Sequence, residues 1–501
     1  MTSPEVSLYE EVLRSLGGAA PAPKPARASA SVVLWRRQAE GEIEVFWVRR
    51  SPALPFMGGW HAFPGGSLER SDAATPMLGA PRGLENPQGR VPQPDGEPRD
   101  LPPDAVPGLA AGALRELCEE VGLNVDDPTR LVFAGRWLTP PLGPLRFDNR
   151  FFLLEWPAGQ PAQPRVDPAP GGELVEGEWV RPGQALERWR QGGVMAAPPI
   201  LHTLKVLAED GPLRGLARLR DAREANWGPM RLIEFRPGVV LLPQATPTLP
   251  PAATTNAFLL GRGEAVLVDP GSPFPDEIDH LEAALRAAAE RAGRRLRAIW
   301  LTHHHPDHVG GVEALRRRFD VPVFAHPETA ARLGARGIAV DGELADGDEW
   351  TLAGDPPMRW RAVWTPGHAP GHLVFFEPTE RTLVAGDLVS SVSTIVIDPP
   401  QGNMEHYLAS LERARDLDPR LLLPAHGPAV LDGRAKLEEF IAHRLAREEK
   451  VLAAWRAGLR EPEAMIDLVY EDTPDAARPL AARQIRAHLE RLLERGRLEE
   501  I

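Results

Sequence analysis

The chain has 501 residues, of which 43% are hydrophobic and 25% charged, and its formal net charge at pH 7 is −13. This length exceeds what one hydrophobic core supports, so we expect two or three domains of an ordinary globular protein. The negative charge argues against a protein that coats nucleic acid indiscriminately. The single cysteine, Cys118, excludes internal disulfides and fits a reducing compartment.

Two further absences in the sequence bear on location. No apolar run approaches the roughly 18–20 residues that span a bilayer. The acidic N-terminus lacks the basic start and apolar core of a secretory signal. We therefore expect a cytoplasmic protein that has no membrane partner.

The first 30 residues are expected to precede the folded part of the chain. Apolar positions in residues 1–18 predict a short amphipathic helix, and the Ala- and Pro-rich residues 19–30 predict a linker. Alternating apolar residues at 31–35 and 44–48 then predict two paired strands.

A glutamate-rich helix follows a long loop. Residues 73–107 are dominated by Pro, Gly and Asp, which predicts a loop or insertion, and residues 109–121 predict a helix. Glu116, Glu119 and Glu120 lie three and four residues apart and therefore share one face of that helix. Such a cluster destabilises a helix unless a cation or a basic partner neutralises it, although a solvated acidic face is the ordinary alternative.

These residues resemble a known family. Residues 115–123, Arg-Glu-Leu-Cys-Glu-Glu-Val-Gly-Leu, together with residues 59–66, Gly-Trp-His-Ala-Phe-Pro-Gly-Gly, resemble the Nudix box. The resemblance implies Mg²⁺ or Mn²⁺ on three glutamates, activating water against a nucleoside-diphosphate-type linkage. The residues that it implies are the metal ligands Glu116, Glu119 and Glu120, of which Glu119 and Glu120 are also catalytic, and the substrate-binding residues Gly66 and Arg115.

Two departures from the family pattern are visible. Asp72 stands where the family usually has Glu, and roughly 35 extra residues separate the two halves of the box. Nudix hydrolases related to coenzyme A diphosphatases carry an insertion of this kind, and they also resemble this chain at residues 146–152. The resemblance therefore implies a small-molecule diphosphate substrate for a domain over residues 31–205.

A second domain begins after a connector. Residues 206–229 predict the connector, and residues 230–432 then alternate closely spaced strands with helices, which favours a layered α/β sandwich. In its middle, the buried-strand pattern of residues 298–301 is followed directly by Thr302-His303-His304-His305-Pro306-Asp307-His308. Imidazoles and a carboxylate crowded at a strand end are costly to bury unless a cation binds them. The pattern His-x-His-x-Asp-His therefore predicts a site for two metal ions.

Three later residues complete this set. His368, Asp387 and His426 each follow a predicted strand and stand beside small residues. Active-site groups of layered sheets collect at such strand ends. One histidine in this position is usually structural, but three polar residues in this order after the His-rich motif are typical of a metal site.

The ordered set resembles the metallo-β-lactamase superfamily across about 230–430. By resemblance, His303, His305 and His368 hold one metal; Asp307, His308 and His426 hold the other; and Asp387 bridges the two. Zinc suits these ligands, although iron or manganese could occupy them. Asp307 is expected to orient the attacking hydroxide. His304 is expected to point away, and His372 to act on the substrate or behind a ligand.

Helical periodicity returns at the C-terminus. Residues 435–455 predict a long helix, and residues 463–501 predict a short helix, a turn at 473–474 and a second helix from 480. This segment resembles the winged-helix tail of lactamase-beta-like proteins, some of which cut single-stranded RNA. Arg483, Arg486 and Arg491 could then contact phosphates, but glutamates interspersed among them equally favour a packing or dimerisation element.

The expected fold class is α/β multidomain: a Nudix α/β/α sandwich, a metallo-β-lactamase αββα sandwich and a small winged-helix tail over residues 433–501. The leading hypothesis is a bifunctional hydrolase. Its first half would cleave a coenzyme A or nucleotide-type diphosphate, and its second half an RNA phosphodiester or an acyl thioester. A β-lactam is disfavoured because no export signal is visible. The alternative is a nucleic-acid-binding or ligand-sensing protein with a degenerate Nudix half and a glyoxalase-II-like thioesterase half. A homodimer is compatible with either.

Overall fold

The computed structural model describes most of the chain. The described residues are 24–54, 57–75, 79–83, 105–141, 145–157, 159–168, 172–220, 232–471 and 478–498. They divide into two compact units on either side of the bond between Leu241 and Leu242. The predicted helix over residues 1–18 lies outside these ranges, as do residues 84–104 of the predicted insertion.

The first unit is built on one mixed sheet. Its strands are β1 (Arg27–Arg37), β2 (Ile43–Arg50), β3 (His61–Ala62), β4 (Gly65–Ser67), β5 (Val132–Leu138), β6 (Phe147–Glu155) and β7 (Leu174–Val180). The main order is β3-β2-β1-β6-β5, with β4 also paired to β1 and β7 to β2. The pairing of β1 with β6 is parallel, and the other pairings of this sheet are antiparallel. Because β1 begins at Arg27, the predicted linker through residue 30 is wrong at its end.

Helices cover both faces of this sheet. They are α1 (Arg70–Ala74), α2 (Ala105–Val121), α3 (Pro182–Arg190), α4 (Pro198–Glu209) and α5 (Leu216–Arg220). Side chains alternate along a strand, so Val32 and Leu34 of β1 join the core beneath α2, together with Leu117 of that helix. On the opposite face, the ring of Trp137 meets that of His202 in α4 at 5.5 Å between centroids.

The described part of the predicted connector, residues 206–220, is largely helical. Residues 206–209 complete α4, and α5 follows at Leu216–Arg220, whereas residues 221–229 lie outside the described ranges. A hairpin then joins β8 (Ile233–Arg236) to β9 (Val239–Gln244), and the division between the two units falls within β9.

The second unit contains two sheets. The first sheet continues from β9 with β10 (Thr255–Leu260), β11 (Glu264–Val268), β12 (Arg295–Trp300), β13 (Val323–Ala325) and β14 (Gly342–Glu343). The second sheet consists of β15 (Glu349–Leu352), β16 (Met358–Trp364), β17 (Leu373–Glu377), β18 (Thr382–Gly386) and β19 (Leu421–Pro424). The strands of each sheet are hydrogen-bonded in chain order. The ring of Trp300 in β12 lies 5.0 Å from that of Phe375 in β17, which places the two sheets face to face.

Five described helices accompany the two sheets, and most of them lie on the outer faces. They are α6 (Pro275–Ala292), α7 (Pro306–Val309), α8 (Val312–Phe319), α9 (Pro327–Ala335) and α10 (Met404–Asp416). The helices α6 and α8 pack on β12. On the second sheet, Val374 and Phe376 share a buried apolar cluster with Leu408 and Leu411 of α10. The order of layers is therefore helix, sheet, sheet, helix, as the sequence predicted.

The chain ends in three helices, α11 (Gly433–Arg456), α12 (Pro462–Val469) and α13 (Arg478–Glu494). They share a core that includes Val451, Met465, Ile485 and Leu492. This matches the predicted helices, whereas the predicted turn at 473–474 and residues 499–501 of the wing lie outside the described part of the chain. None of the described helices combines the length and the apolar character needed to cross a bilayer.

Candidate metal centre

The predicted ligands stand where strands of the two sheets end. His303, His305, Asp307 and His308 follow β12. His368, Asp387 and His426 follow β16, β18 and β19, and these three strands of the second sheet run in the same direction. Their carboxyl ends therefore lie at one edge, and the seven side chains come together there.

Glycines permit the tight path of the His-rich loop. A Cβ on Gly271 would lie 1.7 Å from the carbonyl oxygen of Asp307, and one on Gly310 would lie 2.5 Å from the carbonyl oxygen of Gly271. Both contacts are far inside van der Waals distance, so only glycine fits at either position. This close approach lets the short helix α7 carry Asp307 and His308 into the interior.

The first group of ligand atoms surrounds His305. Its Nδ1 lies 3.0 Å from His303 Nε2 and 2.9 Å from His368 Nε2. Asp387 Oδ2 lies 3.4 Å from His368 Nε2 and completes the group. Four donor atoms therefore converge on one point.

The second group consists of Asp307, His308 and His426. His426 Nε2 lies 3.5 Å from Asp307 Oδ2, and His308 Nε2 lies 4.0 Å from the same oxygen. Asp387 Oδ1 lies 3.3 Å from His426 Nε2 and 3.5 Å from His308 Nε2. One oxygen of Asp387 thus faces each group, which is the geometry of a bridging carboxylate.

These groups fit divalent cations. The ligand atoms within each group lie within 4.8 Å of one another. Tetrahedral zinc with bonds of about 2.0–2.1 Å would place its nitrogen ligands roughly 3.3 Å apart. His308 Nε2 and Asp387 Oδ1 are buried and find no hydrogen-bond partner within the described part of the chain. Buried polar atoms without partners are costly, and coordination of a cation removes that cost.

The electrostatics of the centre favour ligand-competent forms. Burial, followed by the neighbouring imidazoles, holds the pKa of His303 and of His305 well below its usual value. Burial also lowers the pKa of His368. These rings are therefore neutral and can donate a lone pair. Burial opposes ionisation of Asp387 as well, but His426 and His308 outweigh it and hold the pKa of Asp387 well below its usual value.

The pKa values of the histidines distinguish the second group of ligands from the first. Burial lowers the pKa of His308, but Asp387, Asp307 and Asp269 outweigh that effect and raise it well above the usual value. The pKa of His426 is raised in the same way, with Asp387 as the main opposing influence. These two rings are the ones that a second cation would have to deprotonate.

Three of the histidines that offer Nε2 to a ligand group have Nδ1 held by a hydrogen-bond partner behind the ring. His368 Nδ1 lies 2.8 Å from the Val396 carbonyl, and His426 Nδ1 lies 3.1 Å from the Thr254 carbonyl. His308 Nδ1 lies 2.8 Å from Asp269 Oδ2. Donation from Nδ1–H assigns the tautomer that leaves Nε2 free for a metal.

Asp269 holds several of these supporting contacts in place, and its role was not predicted from the sequence. Its Oδ1 accepts from the Thr302 amide at 2.8 Å, and its Oδ2 accepts from Thr302 Oγ1 at 2.6 Å. Thr302 Oγ1 lies in turn 3.0 Å from His303 Nδ1. A signal was present in the sequence: an aspartate that follows a predicted strand and precedes Pro-Gly, the same strand-end pattern that identified Asp387.

His372 lies directly behind Asp387. Its ring is fully buried; its Nε2 accepts from the Asp387 amide at 3.0 Å, and its Nδ1 lies 2.8 Å from Thr365 Oγ1. His372 thus fixes the backbone at Asp387, which agrees with its expected place behind a ligand, and its substrate contact stays a prediction. His304 points away from the ligand groups as expected, with its Nε2 3.1 Å from Gln401 Oε1.

In the first unit, two of the three predicted glutamate ligands meet the Gly-Gly turn. Glu120 accepts from the Gly65 amide at 2.7 Å, and a Cβ on Gly66 would lie 2.3 Å from Glu116 Oε1. Glu119 is more exposed and accepts from Arg115 at 2.8 Å. Among the described residues, these three glutamates do not form a group with the close donor spacing of the histidine centre. Gly66 therefore makes room for Glu116, and its substrate role stays a prediction.

Arg115, whose role in substrate binding stays a prediction, makes several contacts within the first unit. Its Nε and Nη2 donate to Asp72 at 3.0 and 3.1 Å, and its Nη1 donates to Glu116 at 3.1 Å. Its Nη2 also donates to the Ser67 carbonyl at 3.1 Å. The guanidinium thus links α2 to β4 and to α1.

Comparisons with known proteins agree with the geometry of the second unit. Residues 251–426 match the family model of the metallo-beta-lactamase superfamily, and residues 462–501 match that of the beta-lactamase associated winged helix domain. A Drosophila melanogaster protein described as a beta-lactamase-like protein 2 homolog is 33% identical over 49% of this chain and 84% of its own length. An atrochrysone carboxyl ACP thioesterase from Aspergillus chevalieri is 32% identical over 40% of this chain and 60% of its own length.

Solved structures were compared as well. A metallo-beta-lactamase family protein from Thermus thermophilus is 29% identical, with 52% of this chain and 94% of that chain covered and a TM-score of 0.43. A NUDIX hydrolase from Alicyclobacillus acidocaldarius is 26% identical, with 42% and 100% covered and a TM-score of 0.31.

The αββα fold and the seven converging ligands define a metal-dependent hydrolase. With the match over residues 251–426 and the relative of which four fifths is covered, the chain belongs to the metallo-beta-lactamase superfamily.

Asp269→Asn tests the anchoring of the ligands. The Asn amide cannot accept both from Thr302 Oγ1 and from His308 Nδ1, so we expect metal affinity to fall about 10- to 100-fold. Competition against a chromogenic chelator measures this change. Asp279→Asn, which removes an exposed carboxylate paired with Arg318, is the matched control and should leave affinity unchanged. Equal affinities of the two variants would contradict the assignment.

Proposed function

We propose that the second unit is a dinuclear zinc hydrolase that cleaves acyl thioesters. Zinc fits the imidazole-rich ligand set, with His303, His305 and His368 in one site and Asp307, His308 and His426 in the other. The choice of a thioester over RNA depends on the arginines of the C-terminal helices. Those expected to contact RNA phosphates are mostly paired with carboxylates of the protein.

Two of the three predicted phosphate-binding arginines are engaged in this way. Arg483 donates to Asp398 at 3.0 Å. Arg491, which is almost fully buried, donates to Glu405 at 2.7 Å and also pairs with Glu448. A buried, paired guanidinium would lose its partners if it contacted a phosphate, and that loss is strongly destabilising. The ordinary electrostatic requirement for binding a nucleic-acid backbone is therefore poorly met by this helix.

A thioester makes no such demand, because its reacting carbonyl is uncharged. The Aspergillus chevalieri relative is described as an acyl carrier protein thioesterase, which supports the same substrate class. Bound cations would supply a water that ionises near neutral pH and positive charge beside the carbonyl oxygen.

The protein's own groups handle the proton. Asp307 is held by Thr255, whose Oγ1 donates to Asp307 Oδ2 at 3.1 Å. In our proposal, Asp307 orients the attacking water and accepts its proton as the oxygen–carbon bond forms. The carbon–sulfur bond then breaks, and the proton passes to the departing thiolate, which leaves a carboxylic acid and a thiol.

Asp307→Ala tests this function. We expect the rate of acyl-CoA hydrolysis, measured as thiol release, to fall about 10²- to 10⁴-fold, because both a ligand and a proton acceptor are lost. Asp279→Asn should retain the full rate. The same preparations are assayed on single-stranded RNA oligomers. Cleavage of RNA without any thioester turnover by the unchanged protein would overturn the choice of substrate.

We propose a second activity, a Nudix diphosphatase, in the first unit. Its support is the turn of residues 65–67, against which Glu116 and Glu120 are held. Burial raises the pKa of Glu116, and it raises that of Glu120 to about 8. Burial makes the ionised form of these carboxylates unfavourable, and binding of Mg²⁺ or Mn²⁺ offsets that cost.

Asp72 also supports this activity. Although it replaces the usual Glu of the family, it is buried and accepts two hydrogen bonds from Arg115 and one from the Glu69 amide at 2.8 Å. These contacts keep Arg115 beside the glutamates. The substitution therefore preserves an ordered site, and the substrate class proposed for it is a coenzyme A or nucleotide-type diphosphate.

The raised pKa of Glu120 predicts the pH dependence of Mg²⁺ binding. Below about pH 8 a proton must leave Glu120 before the metal binds, so affinity should rise by up to about tenfold per pH unit toward pH 8 and then level off. In metal-free protein the sign is opposite: the stability that protonated Glu120 provides is lost as the pH rises through about 8.

Titration calorimetry with Mg²⁺ between about pH 6.5 and 9, on protein whose histidine centre is loaded with zinc, measures this dependence. Glu120→Gln should abolish both Mg²⁺ binding and the hydrolysis of coenzyme A or ADP-ribose. Glu155→Gln, an exposed change in the same unit, should preserve both. Affinity that does not vary with pH in the unchanged protein would contradict the role of Glu120.

A further inference from the structure

The metal centre of the second unit is bordered by an irregular segment, residues 388–403, which we call the ligand loop. It begins directly after Asp387 and ends at the start of α10. Residues 394–398 of the loop carry no helix or strand. The backbone groups of such a segment must find partners elsewhere if they are buried. Its position is therefore set by whatever supplies those partners.

One partner of the ligand loop is a metal ligand. The carbonyl of Val396 lies 2.8 Å from Nδ1 of His368. This hydrogen bond assigns the proton to Nδ1 and aims Nε2 at the first group of ligand atoms, where it lies 2.9 Å from His305 Nδ1. A shift of the Val396 carbonyl would therefore rotate or release the ring of His368.

The neighbouring carbonyl, that of Ile395, is held from the opposite direction by the C-terminal helices. Gln484 Nε2 of α13 donates to it at 2.8 Å, and Arg444 Nη2 of α11 donates to the same oxygen. Arg444 Nη1 also donates to Gln484 Oε1 at 3.3 Å. Arg444 and Gln484 are 1% and 4% exposed, so neither can exchange these contacts for water.

Burial of Arg444 gives this arrangement its rigidity. Taking a guanidinium out of water is costly, and here the Ile395 carbonyl, the Gln484 amide and the ring of Tyr407, 5.2 Å away, offset the cost. Tyr407 in turn donates through its hydroxyl to the carbonyl of Leu388 at 2.7 Å. Arg444 is therefore connected to the ligand loop at Ile395 and, through Tyr407, at the residue that follows Asp387.

A second set of contacts attaches the same helix to the ligand loop. Arg483 Nη1 lies 3.0 and 3.3 Å from the two oxygens of Asp398. Ile397 and Ala487 belong to one buried apolar cluster. Residues 483, 484 and 487 lie on the same side of a helix, so α13 presents one face to the loop.

We propose that Arg444 and Gln484 are positioning residues of the metal centre. By fixing the Ile395 carbonyl, one residue before the carbonyl that holds His368, they restrain the loop and orient His368, and the C-terminal helices thereby set the affinity and geometry of the first metal site. Neither residue belongs to the two groups of ligand atoms. The proposal concerns metal binding, so it does not depend on which substrate the hydrolase accepts.

The test compares Gln484→Leu and Arg444→Met with Arg486→Met. The first two remove the donors to Ile395 while they keep similar volume, and the third removes an exposed arginine from the same helix. Each full-length protein is loaded with Co²⁺, whose visible absorption reports ligand geometry, and its affinity is measured by competition with a chelator. Circular dichroism and thermal denaturation establish that each variant is folded.

We expect Gln484→Leu and Arg444→Met to alter the cobalt spectrum and to weaken the site that contains His368 about tenfold or more. Arg486→Met should match the unchanged protein. Arg444→Lys, which retains a donor, should recover part of the affinity lost in Arg444→Met. A folded Gln484→Leu protein with an unchanged spectrum and affinity would overturn the proposal.

Burial of Gln484 and Arg444 raises the chance that their variants do not fold. Arg483→Gln is then the deciding variant. Arg483 is about one-third exposed, so its replacement should not prevent folding, and it holds the same loop through Asp398. The proposal predicts a smaller but measurable loss of Co²⁺ affinity in that variant. No loss in a folded Arg483→Gln protein would contradict the coupling between α13 and the metal centre.

Discussion

The structure of the second unit depends on one electrostatic constraint: five imidazoles and two aspartates are concentrated in its interior, around the bridging carboxylate of Asp387. The Asp387 residue is 8% exposed, and its two oxygens face different ligand groups at distances of 3.3, 3.4 and 3.5 Å. A carboxylate in such surroundings is stable only if positive charge compensates the loss of water. The raised pKa of His308 and of His426 favours their protonated forms, which do so in part, and divalent cations would do so more completely.

The rest of the fold can be understood from this requirement. Strands β12, β16, β18 and β19 deliver the ligands to one edge, and glycine at positions 271 and 310 lets the His-rich loop approach the preceding strand end. His372 illustrates how closely the backbone is held, because Nε2 of a fully buried ring is used to accept the amide of Asp387. The sheets bring the ligands near one another, and the polar contacts behind them fix their orientation.

The sequence allowed prediction of the ligands but not of these supporting contacts. His303 and Asp387 could be identified because a polar side chain after an apolar strand is a local pattern. Asp269 shares that pattern, yet its partner Thr302 lies 33 residues further along the chain, a pairing that only the parallel register of β11 and β12 creates. The anchor of His368 is a backbone carbonyl, and a carbonyl has no sequence signature at all.

The arginines of α13 show the same limit. Their spacing predicted a surface for phosphates and a surface for packing equally well, because charge on a helix face does not reveal what lies opposite. The structure places carboxylates opposite Arg483 and Arg491, and these carboxylates come from residues 398, 405 and 448, remote in sequence. Asp72 in the first unit shows the opposite situation. It departs from the Glu of the family pattern, yet it accepts two hydrogen bonds from Arg115, so the shorter side chain still reaches the guanidinium.

These contacts also change how a truncation of the C-terminal helices must be interpreted. Removal of α13 would delete Gln484 and Arg483, and with them two attachments of the ligand loop that carries the hydrogen-bond acceptor of His368. Loss of activity after such a truncation would therefore follow from a displaced metal ligand as readily as from a missing substrate contact. Single substitutions on the exposed side of the helix, such as at Arg486, separate the two explanations because they leave the ligand loop attached. The winged-helix region is thus part of the architecture of the catalytic unit, whatever else it binds.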